Sequence, residues 1–309
     1  MNALSASSGQ SAQDVMASNS SEISNISYVS KFVAEAAAHA PSIYNSSPWW
    51  FSTIGSAICV RADSERIVPI VDPAGRELTM SCGAAAFTAR VALRYLGLIS
   101  EASVFPDVGV PNLVARLTWG DERRPPSDYE RRLFDEVAAR RTHRGGFATD
   151  RVPAGVMSML TEAAVRENAT LRIMTDGDHR SALLAVLTAA DRAFDLNDTR
   201  MAEEARWMSP AAGRTINGGW GARPQPESTA PGSPGVVAVL TTADDERADW
   251  VRAGQALQRV LLVAGSRGVS VAIEAKPLEF GQLRDFIGSE LIGGACPQMV
   301  LRFGLKGHG

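Results

Sequence analysis

Two apolar helices bounded by glycine, one in each part of the chain, restrict the fold more than any other feature of the sequence. The first runs from Gly83 to Gly97 and the second from Gly254 to Gly268, so each pair of glycines lies fourteen positions apart. Apolar residues lie on most faces of the first helix, which indicates a helix at the centre of a domain. Gly97 is expected to end that helix in the left-handed conformation, which glycine adopts without steric cost.

The elements around these two helices repeat in the same order. A short hydrophobic strand precedes each helix, at 57–60 and at 236–241. A strand that ends in an aromatic residue follows each helix, at 113–119 and at 298–303. Helices rich in alanine, leucine and glycine resemble one another by chance, so the shared order is the stronger argument. It predicts an internal duplication and an α+β fold with two pseudo-repeated halves.

Composition indicates where these halves begin and end. Residues 1–25 are rich in serine, asparagine and alanine, without a basic start or an apolar core, which predicts a disordered tail and no secretory signal. The first half is predicted to span 26–120 and the second half 128–309. The stretch between them, 121–127 (DERRPPS), has the composition of a linker.

Several other segments have local patterns that specify single elements. Alanine-rich sequence predicts a helix from Lys31 to His39, and 181–207 is predicted to form one continuous helix. The segment 67–71 (IVPIV) is interpreted as an edge strand, where a proline is tolerated. Ser127 and Glu130 have the spacing of a capping box, which predicts that a helix begins after Ser127.

Charge and hydropathy exclude several classes of protein. The 31 lysines and arginines oppose 34 acidic residues, and the net charge of −3 argues against a surface for nucleic acid. No apolar run approaches the ~18 residues of a membrane helix, so no membrane partner is expected. The cysteines, Cys59, Cys82 and Cys296, form no CxxC pair. This favours a reducing compartment and a cytoplasmic location.

The common motifs of metal and nucleotide sites are absent from the sequence. Four histidines and three cysteines provide no HxxxH, HExxH or CxxC spacing, so no metal site is predicted. Neither GxGxxG nor GxxxxGK[ST] follows a strand, and no GxSxG elbow is present. Cys82 precedes an apolar helix, where a thiolate would be stabilised, but a small buried residue is the simpler interpretation.

The segment 40–49 (APSIYNSSPW) has two interpretations. The simpler is a turn that ends a helix and exposes a tryptophan. In the functional interpretation, the loop presents the hydrogen-bonding groups of Ser42 and Asn45 between the flat apolar walls of Pro41 and Trp49. A planar heteroaromatic ligand with polar edges requires that combination.

The segment 140–144 (RRTHR) also has two interpretations. A solvated basic end of a helix is favoured by the helix dipole. In the functional interpretation it binds phosphate, because the guanidinium groups of Arg140 and Arg144 would bind phosphate oxygens in pairs and the Thr142 hydroxyl would add a hydrogen bond.

Together these segments resemble motifs of the FMN-dependent nitroreductase fold. RRTHR is similar to its RRSxR flavin-phosphate motif, and APSIYNSSPW to its APSxxNxQPW loop, with Ser47 where glutamine is usual. Pro277-Leu278-Glu279 is similar to the short proline-containing loop that meets the flavin edge. The resemblance covers about residues 28–306. The arrangement is most similar to the Acg-type branch of two-halved mycobacterial proteins, with DPAGREL at 72–78 before SCGAA at 81–85.

The resemblance implies an FMN cofactor that lies between two subunits, one giving the arginine motif and the other the SxxN loop. Here the first half has the loop and the second half has the arginines, while 165–171 stands where a second loop would be. A monomer that mimics the homodimer and binds one FMN is therefore expected. The chain ends soon after its last strand, so Arg302 or Lys306 would replace an arginine found in relatives. The implied FMN-binding residues are Pro41, Ser42, Asn45, Trp49, Arg140, Thr142, Arg144, Pro277, Leu278, Glu279 and Arg302.

The segment 209–235 is rich in proline and glycine and is either a lid or a floppy external loop. As a lid, it would use Arg214, Trp220 and Arg223 to cover the flavin and exclude nicotinamide. An FMN-binding protein with an occluded flavin is then expected, used for flavin storage or for a restricted redox role. An active NAD(P)H-dependent nitroreductase and a flavin-free interaction protein are the alternatives, and no catalytic residue is identified.

Overall fold

The computed structural model describes residues 12–208, 219–221 and 233–305, with side chains from Asn25 onward. Both halves contain helices and strands. The first half contains α1 (Ala12–Ala37), β1 (Trp49–Thr53), β2 (Ala57–Ala62), α2 (Arg76–Tyr95), β3 (Leu98–Val104) and β4 (Leu113–Arg123). The second half contains α3 (Asp128–Ala139), α4 (Ala154–Val165), β5 (Thr170–Ile173), α5 (Gly177–Asp195), α6 (Asp198–Met208), β6 (Val236–Thr242), α7 (Arg247–Gly265), β7 (Ser270–Glu274), α8 (Lys276–Glu279), α9 (Gly281–Phe286) and β8 (Cys296–Gly304).

Each half contains a four-stranded antiparallel sheet with the same strand order. The order is β1-β2-β4-β3 in the first half and β5-β6-β8-β7 in the second. In both halves the long helix, α2 or α7, connects the second strand to the third. The predicted α+β architecture with two similar halves is confirmed by these sheets.

The helices α2 and α7 pack against each other at the centre of the molecule. Their contact is reciprocal: a Cβ atom on Gly83 would overlap the carbonyl oxygen of Val251, and one on Gly254 would overlap that of Met80. The backbones therefore meet directly, which only glycine permits. Both helices are buried along most of their length, as the apolar pattern predicted for α2.

Helix α1 begins well before the predicted position. The structure describes a helix from Ala12, within the segment predicted as a disordered tail, and not from Lys31. Val29, Val33 and Ala36 are buried at spacings of three and four residues, so one helical face packs on the core. That packing supports a helix that local composition alone did not indicate.

The segment 67–71 forms a turn and not the predicted edge strand. The backbone N–H groups of Ile70 and Val71 donate to the carboxylate of Glu203 on α6, at 3.2 and 2.9 Å. Because a distant side chain satisfies these donors, they do not pair with a strand. The edges of this sheet are β1 and β3 instead, and β1 pairs with β2.

Three other boundaries differ from their predictions. Residues 121–123 continue β4 and are not part of a linker. The predicted helix over 181–207 is two helices, because the chain breaks at Leu196 and the side chain of Asn197 accepts a hydrogen bond from Arg200 N–H at the start of α6. Pro277-Leu278-Glu279 belongs to the short helix α8. The capping box at Ser127 is confirmed.

Among the described residues, none of the helices is long and apolar enough to cross a bilayer. The same part of the chain contains no group of three or more histidine, cysteine or acidic side chains arranged to hold a metal ion.

Candidate functional site

A strap of three residues, Gly219-Trp220-Gly221, lies against the 40–49 loop. The backbone N–H of Tyr44 donates to the carbonyl of Trp220 at 2.8 Å, and the N–H of Trp220 donates to the carbonyl of Ser42 at 3.0 Å. These two bonds form a parallel bridge between the strap and the loop. Trp220 is only 1% exposed, so the strap is seated in the core and not on the surface.

The other side of the strap contacts the RRTHR segment. A guanidinium nitrogen of Arg144 donates to the carbonyl of Gly219 at 3.2 Å. The strap therefore lies between the two segments that the sequence singled out, one from each half. The strap forms hydrogen bonds with both of these segments.

The glycines of the strap are required by close approach. A Cβ atom on Gly219 would overlap the carbonyl of Ser42 and the backbone nitrogen of Asn45. Gly221 has a φ of 87° and lies against the Tyr44 ring, where a side chain would be strained and crowded. The strap can thus seat only with glycine on both sides of the tryptophan.

The 40–49 loop is held in an unusual backbone conformation. Tyr44, Asn45 and Ser47 all have φ values near 50°, which is uncommon for residues other than glycine. The Ser42 hydroxyl accepts a hydrogen bond from Ser47 N–H at 3.0 Å, and Arg66 donates to the carbonyl of Ser46 at 3.1 Å. Such strained backbone persists where surrounding bonds fix it, and it is concentrated at functional sites.

Beneath the strap, the Trp220 indole donates from Nε1 to Oε2 of Glu77 at 2.6 Å. The other oxygen of Glu77 accepts from Arg76 at 3.1 Å. Burial raises the pKa of Glu77 to about 7, although Arg76 and the Trp220 bond act in the opposite direction. Glu77 is the second residue of α2, so the site stands at the start of the central helix.

A second buried carboxyl group, that of Glu279, lies close to Glu77. Burial raises its pKa well above the usual value, and the charge of Glu77 raises it further. Arg200 donates to Oε2 of Glu279 at 3.1 Å and packs over the Phe280 ring. Oε1 of Glu279 and the Tyr44 hydroxyl are buried with no hydrogen-bond partner among the described residues.

These two acids are expected to make the protein less stable as pH rises. Their carboxyl groups bind protons more tightly in the folded chain than in the unfolded chain, so folding is favoured while they are protonated. The free energy of unfolding should fall as pH rises from about 4.5 to about 7. Urea unfolding across this window measures the slope. Glu77→Gln, which does not titrate, should flatten it, and an equal slope in both proteins would contradict the assignment.

The structure separates the predicted site residues into two groups. A cavity of about 140 Å³ contains the groups near the strap, and it is lined by Thr142, Arg144, Glu274, Lys276, Trp220 and Arg302 among others. Arg302 also pairs with Glu274 at 2.7 Å. Arg140 bonds to Thr142 at 3.2 Å but lines a different cavity, with Glu136, Leu261 and Val269. Burial, and then Arg141 and Arg144, lower the pKa of Arg140 to about 10.

Several sequence-derived candidates lie in the hydrophobic core. Trp49 packs with Val60 and Val114, and Leu278 packs with Leu183 and Val300. Pro41, Ser42 and Pro277 are buried, and Asn45 is half-buried. Of the predicted lid residues, Trp220 lies in the strap, whereas Arg214 and Arg223 lie outside the described residues.

Cys82 is a buried structural residue. Burial raises the pKa of its thiol, and the thiol donates to the carbonyl of Pro48 at 3.3 Å. A protonated, buried thiol is a poor nucleophile, so the simpler interpretation of Cys82 applies.

Sequence reasoning did not identify Glu77, Arg200 or the Tyr44 hydroxyl as site groups. Each acquires its role from a partner more than 70 residues away or from burial, which no local spacing encodes. Two signals were present in the sequence: adjacent charges at Arg76 and Glu77 before an apolar helix, and a tryptophan between two glycines in the strap.

Comparison with known proteins shows that this two-halved α+β chain is similar in sequence to several mycobacterial proteins. It is 29% identical over 295 residues to "Putative NAD(P)H nitroreductase Rv3131" of Mycobacterium tuberculosis, covering 88% of this chain and 83% of the relative. It is 27% identical over 303 residues to "Putative NAD(P)H nitroreductase acg" of the same organism, covering 90% and 89%. These relatives confirm the predicted resemblance, including its Acg branch. No family model matches the chain.

Solved structures of FMN-dependent enzymes are also similar to part of the chain. The nitroreductase NfnB of Mycobacterium smegmatis in complex with NADPH has a TM-score of 0.40 and 19% identity, covering 58% of this chain and 89% of NfnB. A nitroreductase of Bacteroides fragilis with bound FMN has a TM-score of 0.39 and 14% identity, covering 57% and 89%.

Proposed function

We propose that this chain binds one FMN between the 40–49 loop and the RRTHR segment, and that the strap occludes the flavin. The observation that carries the proposal is the position of the strap. It bonds to Ser42 and Tyr44 of the first half and to Arg144 of the second, which supports one composite site built from both segments. The choice of FMN rests on the resemblance of these two segments to flavin-binding motifs.

The donor groups fit the phosphate of FMN. Thr142 and Arg144 line one cavity, and the guanidinium groups of Arg140, Arg141 and Arg144 are close enough for their charges to lower the pKa of Arg140. A phosphate dianion would relieve that repulsion and accept charge-assisted hydrogen bonds. Bound FMN would supply two-electron redox chemistry at this site.

The space beside Arg144 is narrow under the seated strap. The cavity of about 140 Å³ is smaller than the roughly 300–1,000 Å³ of typical ligand pockets. FMN entry therefore requires the strap to lift, and we propose that the strap closes over the flavin ring once the cofactor is bound. A flavin site that the strap covers in this way suits flavin storage or a restricted redox role.

The second half offers no equivalent loop. Residues 166–169 alone connect α4 to β5, whereas 38–48 connect α1 to β1 in the first half. Glu167 in the shorter connection is tied to Arg90 and Arg259, at 2.7 Å each. One composite site in one chain is consistent with a monomer, since both contributing halves are already covalently linked.

One FMN is expected to bind each chain. A titration of the apoprotein, followed by measurement of released flavin absorbance against protein mass, gives the ratio. A ratio near one supports the composite site. A ratio near two would mean that the second half retains a flavin site, and a colourless protein that takes up no FMN would favour the flavin-free alternative.

Replacing Arg144 with alanine is expected to weaken FMN binding about ten- to a hundred-fold. The reason is the loss of a charge-assisted phosphate contact worth roughly 1.5–3 kcal/mol. Arg140→Ala should act in the same direction through Thr142, to which Arg140 donates. Flavin fluorescence titration measures the affinities, with Arg172→Ala, at an exposed position of β5, as the control. Unchanged FMN affinity in both Arg140→Ala and Arg144→Ala would indicate that the RRTHR segment is only a solvated end of a helix.

An active NAD(P)H-dependent nitroreductase is the second candidate function. The names of the relatives favour it, because both are described as NAD(P)H nitroreductases. Steady-state oxidation of NADH or NADPH with a nitroaromatic or quinone acceptor separates the two candidates. Sustained turnover would support the enzyme, and its absence in FMN-loaded protein would support an occluded flavin.

A further inference from the structure

A large cavity in the second half lies between α4 and the strands β5 and β6. Its volume is about 1260 Å³, which exceeds the roughly 300–1,000 Å³ of typical ligand pockets. It shares no lining residue with the cavity beside Arg144, so it is a separate space from the proposed flavin site.

The cavity is elongated, because it follows α4 along its whole length. The helical residues that line it recur at the spacing of one helical face: Ala154, Met157, Ser158, Thr161, Glu162 and Val165. From the first of these residues to the last, the helix rises about 16 Å. Buried apolar side chains also line the cavity: Val152, Met157, Met174, Val237 and Phe303. This shape and lining fit an alkyl chain better than a compact ring.

The basic side chains of the cavity, those of Arg151 and Arg180, lie at one end of it. Arg151 comes three residues before α4, and Arg180 donates to the carbonyl of Gly235, just before β6, at 3.3 Å. The short connection between α4 and β5 makes the two antiparallel, so the end of β5 and the start of β6 lie beside the start of α4. Neither arginine forms an ion pair within the described part of the chain.

The acidic residues of the cavity leave this end positively charged. Glu162 lies toward the other end and pairs with Arg166 at 2.6 Å. Asp150 also lines the cavity, but it is one carboxylate against two guanidinium groups. Because guanidinium groups bind carboxylate oxygens in pairs, the charge at this end favours an acidic head group.

The corresponding place in the first half is nearly filled. A cavity of about 190 Å³ is lined there by Tyr28, Ser56 and Trp119. Ser56 precedes β2 as Gly235 precedes β6, and Trp119 has the position in β4 that Phe303 has in β8. Since the two halves have the same strand order, the fold itself does not require the larger cavity.

We propose that the cavity along α4 binds a medium- or long-chain carboxylate. The alkyl chain lies along α4, and the carboxylate is bound by Arg151 and Arg180. This site goes beyond the proposed flavin function, and no FMN is needed to test it.

Decanoate and decyltrimethylammonium test the proposal, since they carry the same alkyl chain and opposite head-group charges. The full chain is titrated with each by calorimetry, below the concentration at which either forms micelles. Ser158→Trp places a bulky side chain in the cavity from an exposed position of α4. Met159→Trp is its matched control, because Met159 is exposed on the same helix but does not line the cavity. Arg151→Ala combined with Arg180→Ala removes the basic end, with Arg172→Ala as the control.

One decanoate is expected to bind each chain, at least ten-fold more tightly than decyltrimethylammonium. Ser158→Trp and the double arginine variant should each weaken decanoate binding about ten-fold or more, whereas both controls should bind as the wild type does. Absence of decanoate binding, or equal affinity for the two probes, would overturn the proposal. Unchanged affinity in Ser158→Trp would place decanoate elsewhere and overturn it as well. None of these failures would alter the flavin stoichiometry, and a failure to bind FMN would leave this titration unchanged.

Discussion

Opening the strap is expected to raise the rate at which NADH or NADPH reduces bound FMN by about ten-fold or more. Two variants open it: Trp220→Ala, and replacement of 213–231 by a short glycine-serine linker. Nicotinamide must stack on the flavin within ~3.5 Å for hydride transfer, so a seated strap blocks the reaction. The buried bond from Trp220 to Glu77 is worth roughly 1.5–3 kcal/mol, which corresponds to at least a ten-fold change in the open population.

Stopped-flow absorbance of the oxidised flavin measures this rate, with all proteins loaded with FMN beforehand. Trp250→Ala serves as the control for loss of a tryptophan that donates to a carboxylate elsewhere. If the wild type is already reduced rapidly and neither variant is faster, the strap is not a barrier. The ordinary nitroreductase interpretation then replaces the occluded site.

Substituting alanine for Gly254 is expected to lower the free energy of unfolding by about 3 kcal/mol. The new Cβ would overlap the carbonyl oxygen of Met80, and backbone atoms in a buried helix cannot move aside without separating α2 from α7. Gly83→Ala should have a similar effect through the carbonyl of Val251. Urea unfolding followed by circular dichroism measures the loss.

Gly155→Ala provides the matched control. Gly155 is also helical, as the second residue of α4, but nothing lies within 4 Å of the Cβ that alanine would add. Alanine is the better helix former, so this variant should be as stable as the wild type or more stable by up to ~1 kcal/mol. An unfolding midpoint for Gly254→Ala equal to that of Gly155→Ala would show that the central helices adjust easily.

The elements at the centre of the molecule were predictable from the sequence, and those at its edges were not. β2, β6 and β8 each contain a run of apolar residues, and α2 and α7 contain long apolar stretches, so local pattern indicates these elements. Both helices begin seven residues before Gly83 and Gly254, which lie inside them. The edge strands β1, β3, β5 and β7 were missed because they are half-exposed or short and lack a clear alternation. The turn at 67–71 depends on Glu203, more than 130 residues away.

The candidate site was predictable only as far as its two motifs. Ser42 and Arg144 were found because their surrounding residues resemble motifs that bind a cofactor. The strap between them belongs to the segment that composition predicted to be either a lid or an external loop, and the residues against which it packs were not predicted. That packing depends on Glu77, which lies 143 positions from Trp220 in the chain and has an ordinary local sequence. Contacts of this kind become visible only when the halves are folded against each other.

Because α2 and α7 cross reciprocally at Gly83 and Gly254, a residue of one helix can be compared with the residue of the other at the same distance from its glycine. Six positions before the crossing glycines stand Glu77 on one side and Ala248 on the other. A homodimer must present the same residue on both sides of its axis, because one gene encodes both. A single chain with two similar halves is free of that constraint, so an acid can hold a tryptophan on one side while alanine occupies the corresponding position on the other. Asymmetry of this kind lets one half specialise without any matching change in the other.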